Sequence, residues 1–359
     1  MTAPSALRTS SSRSSSSRTS RRRGPVRTRS LAALAITSAL VLTGCSDTGA
    51  GGDQLQVVEN PERASAAPSP ATTEDPAGRV VPAGGDVTDL AATDGTLAAA
   101  LAGEDAVHLH DLDDPGAAPR TVRLPGEAGS LRTVDGTIVA TMPDAKAFAR
   151  IDVATGTAEV VEVDGVPTGV AADGDRTLVA LRDAKAVQVL DADDSPVRTV
   201  RDDLYSADDV LVAGGGAVVL DQLRTAVFSL DLADHTIGEG LRAGQGAADA
   251  TTDEYGRVLV TDARNGALLA FDTDPLLLRQ RQPVPGGAYG VAYDAKRHVA
   301  WVTLTERNEV VGYDVRGGQP EEKFRLPTVR QPDSVTVDEQ TSQVVIGSAA
   351  EEGIQVITP

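Results

Sequence analysis

Residues 301–314 read WVTLTERNEVVGYD, and this stretch decides the fold. Two apolar runs flank a short polar loop, and the second run ends in Asp314. Runs of this length, bounded by turn residues, predict two antiparallel strands joined by a hairpin loop. Residues 258–272 read VLVTDARNGALLAFD, which is the same layout ending in Asp272.

The closing aspartate recurs along the chain at a nearly constant interval. Intervals of 41, 39, 40, 41 and 42 residues separate Asp111, Asp152, Asp191, Asp231, Asp272 and Asp314. A seventh apolar run, 354–357, places Thr358 at the same point. Four strand-like runs in about 40 residues are typical of one propeller blade. We therefore predict an all-β fold over residues 79–359: a seven-bladed β-propeller of four-stranded antiparallel blades.

The two ends of the repeat region predict how the ring closes. The seventh repeat stops at Pro359, before a fourth strand. Residues 79–81 begin ten residues before Asp89, just as residues 120–122 begin ten residues before Ser130. We therefore expect an N-terminal strand to complete the last blade and close the ring by main-chain hydrogen bonds. An open solenoid is the alternative, although its ends would need caps that this sequence lacks.

Two of these repeats resemble known propeller families. Residues 301–314, with Asn308 in the loop and the closing Asp314, resemble the YVTN β-propeller repeat. Residues 258–272 resemble the related NHL repeat. The resemblance implies a ring of seven or six blades and no single activity, because these families include binding proteins, lactonases and lyases.

The N-terminus has the layout of an export signal. Residues 1–30 carry eight Arg and no acid, and an apolar run follows at 31–42. As a helix, this run would cover about 18 Å, which is too short for a bilayer core of about 30 Å. A basic start, a short apolar run and small residues are typical of a signal peptide.

The sequence Leu42-Thr43-Gly44-Cys45 then resembles a bacterial lipobox. The resemblance implies cleavage before Cys45 and a lipid on its thiol. We predict a signal peptide at 1–44, a lipidated flexible stalk at 45–78, and a protein held on the extracytoplasmic face of the cell membrane. An uncleaved signal anchor is the alternative, and the export route, general secretory or twin-arginine, stays open.

Charge and cysteine content exclude several classes of function. The chain has a formal charge of -19, and removing the eight Arg of the signal leaves 33 − 8 = 25 basic residues against 52 acidic ones. A protein this acidic is not expected to bind nucleic acid. One cysteine excludes disulfides within the chain and metal sites built from several cysteines.

One face of the predicted ring carries a pattern of charge. In antiparallel blades, the loops between strands two and three all open on the face where the chain enters each inner strand. Blades one and seven have acids in these loops, whereas blades two to six carry Lys146, Lys185, Arg224, Arg264 and Arg307. We predict that this face docks an unknown envelope protein or an anionic ligand. The alternative is that each cation pairs with a nearby acid, namely Asp144, Asp183, Asp262 or Glu306, and such surface pairs stabilise little.

Catalytic residues do not form a recognisable set. The closing aspartates, and the Asp-Gly pairs that follow inner strands, are typical of turns. His108 and His110 lie on one face of a strand, but no acidic partner is near them in sequence. We therefore expect a binding or scaffold module without a cofactor. The alternative is a lactonase-like or streptogramin-lyase-like enzyme, with Ca²⁺ or Mg²⁺ held at the channel mouth by some of the carboxylates of Asp89, Asp209, Asp249 and Asp333.

Overall fold

The computed structural model describes Leu55 and residues 59–359. Within this part of the chain, 28 strands form seven four-stranded antiparallel sheets. No helix among these residues is long and apolar enough to cross a membrane. The predicted signal peptide 1–44 and the predicted lipid site Cys45 lie outside the described residues.

Each sheet is one blade, and its strands are given in order from the channel outward. Blade 1 contains β2 (Val87–Thr93), β3 (Thr96–Leu101), β4 (Ala106–Asp111) and β5 (Arg120–Arg123). Blade 2 contains β6 (Ser130–Val134), β7 (Thr137–Met142), β8 (Ala147–Asp152) and β9 (Thr157–Glu162). Blade 3 contains β10 (Pro167–Asp173), β11 (Arg176–Leu181), β12 (Ala186–Leu190) and β13 (Pro196–Arg201).

The remaining blades repeat this order. Blade 4 contains β14 (Asp209–Ala213), β15 (Gly216–Asp221), β16 (Ala226–Asp231) and β17 (Thr236–Arg242). Blade 5 contains β18 (Ala247–Thr252), β19 (Arg257–Asp262), β20 (Ala267–Thr273) and β21 (Leu276–Pro283). Blade 6 contains β22 (Ala288–Asp294), β23 (Val299–Leu304), β24 (Glu309–Asp314) and β25 (Glu321–Pro327). Blade 7 contains β26 (Pro332–Val337), β27 (Val344–Ser348), β28 (Ile354–Ile357) and, from the other end of the chain, β1 (Arg79–Val81).

The pairing of β1 with β28 confirms the predicted seven-bladed propeller and its closing strand. The two strands are antiparallel, with Arg79 opposite Val356 and Val81 opposite Ile354. A glycine marks each end of this pair, since Gly78 and Gly353 both have positive φ angles of 73° and 94°. A Cβ on either glycine would collide with a carbonyl oxygen of the opposite strand, so the seam requires glycine at both places.

Apolar packing between neighbouring blades supplies the core. The described residues form seven buried clusters built mainly of Val, Leu, Ile and Ala, as the low aromatic content predicts. At the seam, Val87 and Leu101 of blade 1 pack with Val345 and Ile354 of blade 7. The seam therefore has the same kind of apolar interior as the junctions between consecutive blades.

Aspartates at the strand ends form turns, as predicted from their spacing. The carboxylate of Asp152 accepts hydrogen bonds from the amides of Ala154 and Thr155, at 2.8 and 3.0 Å. These bonds to the charged form lower the pKa of Asp152. Asp94 has a φ of 50°, a conformation that suits the residue before glycine in a tight hairpin.

Candidate functional site

The seven inner strands enclose a polar channel. Its cavity has a volume of about 430 Å³ and is lined by residues of blades 1 to 7, including Asp89, Asp209, Asp249 and Arg132. Three of the four aspartates predicted as metal ligands therefore face one space. Among the described residues, however, no group of three or more His, Cys, Asp or Glu side chains is arranged to hold a metal ion.

Asp89 and Asp249 make equivalent contacts in blades 1 and 5. In each, one carboxylate oxygen accepts from the amide of the following residue at 2.8 Å. The other oxygen accepts from an amide of the next blade, Leu131 for Asp89 at 2.7 Å and Val291 for Asp249 at 2.9 Å. Each carboxylate therefore ties two neighbouring inner strands together.

Asp333 does not share this position. In β2, the register shifts between Val87 and Asp89, so that Asp89 pairs with Ala100 after the bulge. In β26, the shift lies between Pro332 and Ser334, so that Ser334 takes the corresponding place. Asp333 is the bulged residue, and its carboxylate accepts from Nε2 of Gln331 at 2.8 Å. The prediction that grouped it with Asp89 and Asp249 misses this one-residue offset.

Arg132 links opposite sides of the channel. It lies on β6 of blade 2, and its guanidinium donates to Asp209 of blade 4 at 2.5 Å and to the carbonyl of Ala250 in blade 5 at 3.3 Å. Burial lowers the pKa of Arg132, but the charges of three aspartates outweigh it, and the net effect raises this pKa. Arg132 therefore stays charged among carboxylates that outnumber it three to one.

The channel carboxyl groups have unusual proton affinities. Burial raises the pKa of Asp89 to about 7 and that of Asp209 to about 6, with a smaller contribution from the charge of Asp249. Burial also raises the pKa of Asp249. Burial, followed by the charges of nearby aspartates, raises the pKa of the Tyr289 phenol to about 12. Near neutral pH, Asp89 and Asp209 can therefore gain or lose a proton, which is a property useful for acid–base chemistry.

The predicted cationic loops lie in very different environments. Lys146 and Lys185 are exposed and have φ angles of 50°. The ammonium of Lys185 lies 5.8 Å from the ring centre of Tyr205, which is 40% exposed. Arg224 is buried, with its guanidinium 5.2 Å from the Tyr205 ring centre and 4.7 Å from that of Phe228. Arg224 therefore supports the ring that Lys185 overlies.

The alternative pairing of Lys146, Lys185, Arg264 and Arg307 with neighbouring acids is not found among the described residues. Asp183 instead accepts from the amide of Val166 at 2.8 Å, and Asp262 accepts from the amides of Gln245 and Gly246 at 3.0 and 2.9 Å. Within the described part of the chain, no ion pair within 4.0 Å joins a carboxylate to Lys146, Lys185, Arg264 or Arg307. Acidic side chains here hold the loops rather than the cations.

Residues 59–78, which we call the strap, cross the same loop face between Glu62 and Thr72. Arg63 donates through Nε to Asp208 at 2.7 Å, and its guanidinium also bonds Ser206. The side chain of Asp208 is fully buried and also accepts from Nε of Arg182 at 2.9 Å. Further along, Nδ2 of Asn308 donates to the carbonyl of Pro70 at 3.0 Å. This part of the predicted stalk is therefore held on the propeller instead of extending from it.

Several of these contacts have no signal in the sequence. Asp208 stands beside Asp209, and Gln331 stands beside Arg330, but neither pattern points to a contact with residues 59–78. The predicted cation Arg264 is drawn into the strap contacts, where it donates to the carbonyls of Glu62 and Arg63 at 2.7 and 3.1 Å. Only the fold brings these distant segments together.

Histidine does not contribute a metal site in the described residues. Nε2 of His108 lies 2.8 Å from the carboxylate of Glu104, four residues earlier in blade 1, so the expectation that no acidic partner is near in sequence is wrong. His110 is buried, and burial, followed by the charge of His108, lowers its pKa.

Comparison with known proteins supports the propeller fold. No protein-family model matches the chain, and no curated protein is detectably similar to it in sequence. Hydrazine synthase from Kuenenia stuttgartiensis is structurally similar, with a TM-score of 0.64, 15% identity, and coverage of 81% of this chain and 98% of the other. A streptogramin B lyase gives a TM-score of 0.63 with 12% identity, covering 79% and 96%. The Cps50 (Swd1) propeller domain from Myceliophteria thermophila gives 0.63 with 14% identity, covering 77% and 98%. At these identities, the similarity is one of fold, and the YVTN and NHL resemblance stays a prediction.

Proposed function

We propose that this protein is a lipid-anchored binding module on the extracytoplasmic face of the cell membrane. Its loop face would dock a protein or an anionic ligand. The observation that carries this proposal is the exposure of Lys146 and Lys185 on neighbouring blades, without a carboxylate partner among the described residues, on a chain of formal charge -19. Local positive charge on an acidic protein guides an anionic partner to one place.

Tyr205 completes this docking surface, which we define as Lys146, Lys185 and Tyr205. Tyrosine is enriched at protein interfaces because its ring buries apolar area while its hydroxyl stays available for hydrogen bonding. Arg224 stacks on the same ring and fixes its position. A rigid ring that presents an aromatic group beside two ammonium groups suits an acidic protein surface or a phosphorylated or carboxylated ligand.

Charge reversal of the two lysines tests the docking surface. A photo-crosslinking amino acid at Tyr205, introduced in cells, should give one dominant adduct in envelope fractions, identifiable by mass spectrometry. Adding Lys146→Glu and Lys185→Glu should remove that adduct. The matched control is Lys296→Glu, because Lys296 belongs to the same Asp-Ala-Lys sequence but lies in the turn between the first two strands of blade 6, on the opposite face. An adduct that survives the double reversal would refute this docking surface.

The lipid anchor is supported by the lipobox resemblance at Cys45, the only cysteine of the chain. Cys45→Ser should move the protein out of the membrane fraction while the propeller stays folded. Intact mass of the wild-type protein should show cleavage before residue 45 and the added acyl chains. A wild-type protein that retains residues 1–44 without a lipid would contradict the anchor and leave the docking surface to be judged by its own test.

A second candidate is favoured by the channel. Asp89, Asp209 and Asp249 face one cavity with Arg132, and two of these aspartates have a pKa of about 6 to 7. Such groups suit the acid–base steps of a propeller hydrolase or lyase. The Ca²⁺ or Mg²⁺ of this candidate would bind at the channel mouth without a preformed set of three ligands among the described residues. Millimolar Ca²⁺ or Mg²⁺ should then raise the melting temperature, and Asp249→Asn should abolish that rise. Without any stabilisation by either cation, this candidate is dropped.

A further inference from the structure

The side chain of Gln331 binds the strap as a main chain would. Its Oε1 accepts from the amide of Ser69 at 2.9 Å, and its Nε2 donates to the carbonyl of Ala67 at 3.1 Å. The Gln331 amide in turn donates to Oγ of Ser69 at 3.0 Å. One glutamine side chain therefore binds a backbone amide and a backbone carbonyl of the strap, as a neighbouring β-strand would.

Contacts on either side continue this recognition of the main chain. Arg264 donates to the carbonyls of Glu62 and Arg63, and Asn308 donates to that of Pro70. Pro68 and Pro70 flank Ser69, and proline favours an extended conformation without offering an amide donor. The side chains that contact the strap thus fit an extended segment. Proline suits such a segment because it has no backbone amide that would be left without a hydrogen-bond acceptor.

Two side chains of the strap, those of Arg63 and Ser69, form specific hydrogen bonds with the propeller. Arg63 bonds the buried carboxylate of Asp208 and the hydroxyl of Ser206. Oγ of Ser69, six residues later, donates to the carbonyl of Thr305 at 2.5 Å. Within residues 59–78, Ala64 is the one apolar side chain that is buried. Polar contacts with little apolar burial hold the strap, and such segments open at low free-energy cost.

We propose that this groove, formed by Asp208, Arg264, Thr305, Asn308 and Gln331, is a peptide-binding site that the strap occupies in cis. Its partner is an extended segment of another protein that carries an arginine six residues before a serine flanked by prolines. The proposal goes beyond the docking surface of Lys146, Lys185 and Tyr205, because it uses other residues of the loop face and a partner that presents an arginine to Asp208. Strap and partner compete, because both need the same hydrogen-bonding groups.

A labelled peptide with the sequence of residues 59–74 tests the groove. The chain processed at Cys45 should bind it weakly, since its own strap fills the site. The double variant Arg63→Ala with Ser69→Ala weakens the strap but leaves the groove intact, and it should bind the peptide about tenfold more tightly. Adding Gln331→Ala should abolish this gain. Gln340→Ala is the matched control, because Gln340 is exposed in a turn between β26 and β27, away from the groove, and should change nothing.

Hydrogen exchange and thermal melting make each outcome decisive. If exchange shows that the strap is released in a folded double variant, and the peptide still binds no better, the proposal is overturned. Binding that survives Gln331→Ala would also overturn it. The double variant can also be mixed with the wild-type protein. If the two form a dimer that the peptide separates, the proposed partner protein is wrong and the groove instead binds the strap of a second copy of this chain. Lys146 and Lys185 lie outside the groove, so failure of the docking surface leaves peptide binding unchanged.

Discussion

The loop face has two halves that use the same repeat positions differently. In blades 2 and 3, with which the described strap residues form no hydrogen bond, the loop cations are Lys146 and Lys185, and both are exposed. In blades 4 and 5, the equivalent cations are Arg224 and Arg264, and both donate to main-chain carbonyls. A guanidinium offers several directed donors, whereas an ammonium is a compact and strongly hydrated charge. The period of the repeat sets where a cation lies. Arg224 and Arg264 bind the protein's own main chain, whereas the side chains of Lys146, Lys185 and the exposed Arg307 form no such bond among the described residues.

Asp208→Ala should have the largest effect on stability, and it acts on the half of the loop face that the strap covers, which we call the covered half; blades 2 and 3 form the open half. The substitution leaves Arg63 and Arg182 without their shared carboxylate and removes the acceptor for the amide of Gln222. We expect a loss of about 2–3 kcal/mol in the free energy of unfolding, measured with urea, together with faster hydrogen exchange in the strap.

Asp183→Ala is the matched change in the open half. Asp183 is exposed and accepts from two amides of its own loops, so its removal should cost about 0.5–1 kcal/mol. Equal losses for the two variants would show that burial of the carboxylate does not distinguish the halves.

The second prediction concerns the pH dependence of stability, which we expect to come from the aspartates of the central channel. The folded pKa values of Asp89 and Asp209, about 7 and about 6, lie above the ordinary value of 3.8. Protonation therefore favours the folded state: this contribution is complete below about pH 4 and is lost as the pH rises through 6 to 7. We expect the melting temperature to be about 5 °C higher at pH 5 than at pH 8.

Two variants connect that pH dependence to Arg132. The charge of Arg132 lowers the pKa of Asp209, so Arg132→Gln should raise it further and steepen the fall in stability between pH 5 and 8. Asp89→Asn removes one titrating group and should make the fall in stability between pH 5 and 8 less steep. A melting temperature that rises steadily towards pH 8 in all three proteins would contradict the raised pKa values.

The smallest effect should come from exchanging the two cation types. Arg264→Lys loses the bond to at least one of two strap carbonyls and should cost about 0.5 kcal/mol, measured as faster hydrogen exchange at residues 62–63. Lys185→Arg in the open half should leave stability and exchange unchanged. If both variants behave alike, the type of cation does not matter and the comparison of the halves fails.

Sequence reasoning was strongest where the chain is periodic. The regular aspartates predicted seven blades, and the matched spacing before Asp89 and Ser130 predicted the closing strand. The strap could not be predicted in this way, because its contacts use single polar groups and main-chain atoms that leave no pattern of apolar residues. Asp333 was misplaced for a related reason: a bulge in β26 moves it one residue away from the position of Asp89, and spacing alone does not reveal a bulge.

The order of strap and closing strand along the chain has a mechanical consequence. β1 is three residues long, and it follows the strap directly. Any force applied to the chain before Leu55 would reach β1 only after the bonds to Asp208, Arg264 and Gln331 had been peeled away one after another. The strap therefore protects the ring: a pulling force on the chain ahead of it breaks weak polar contacts before it loads the pairing of β1 with β28.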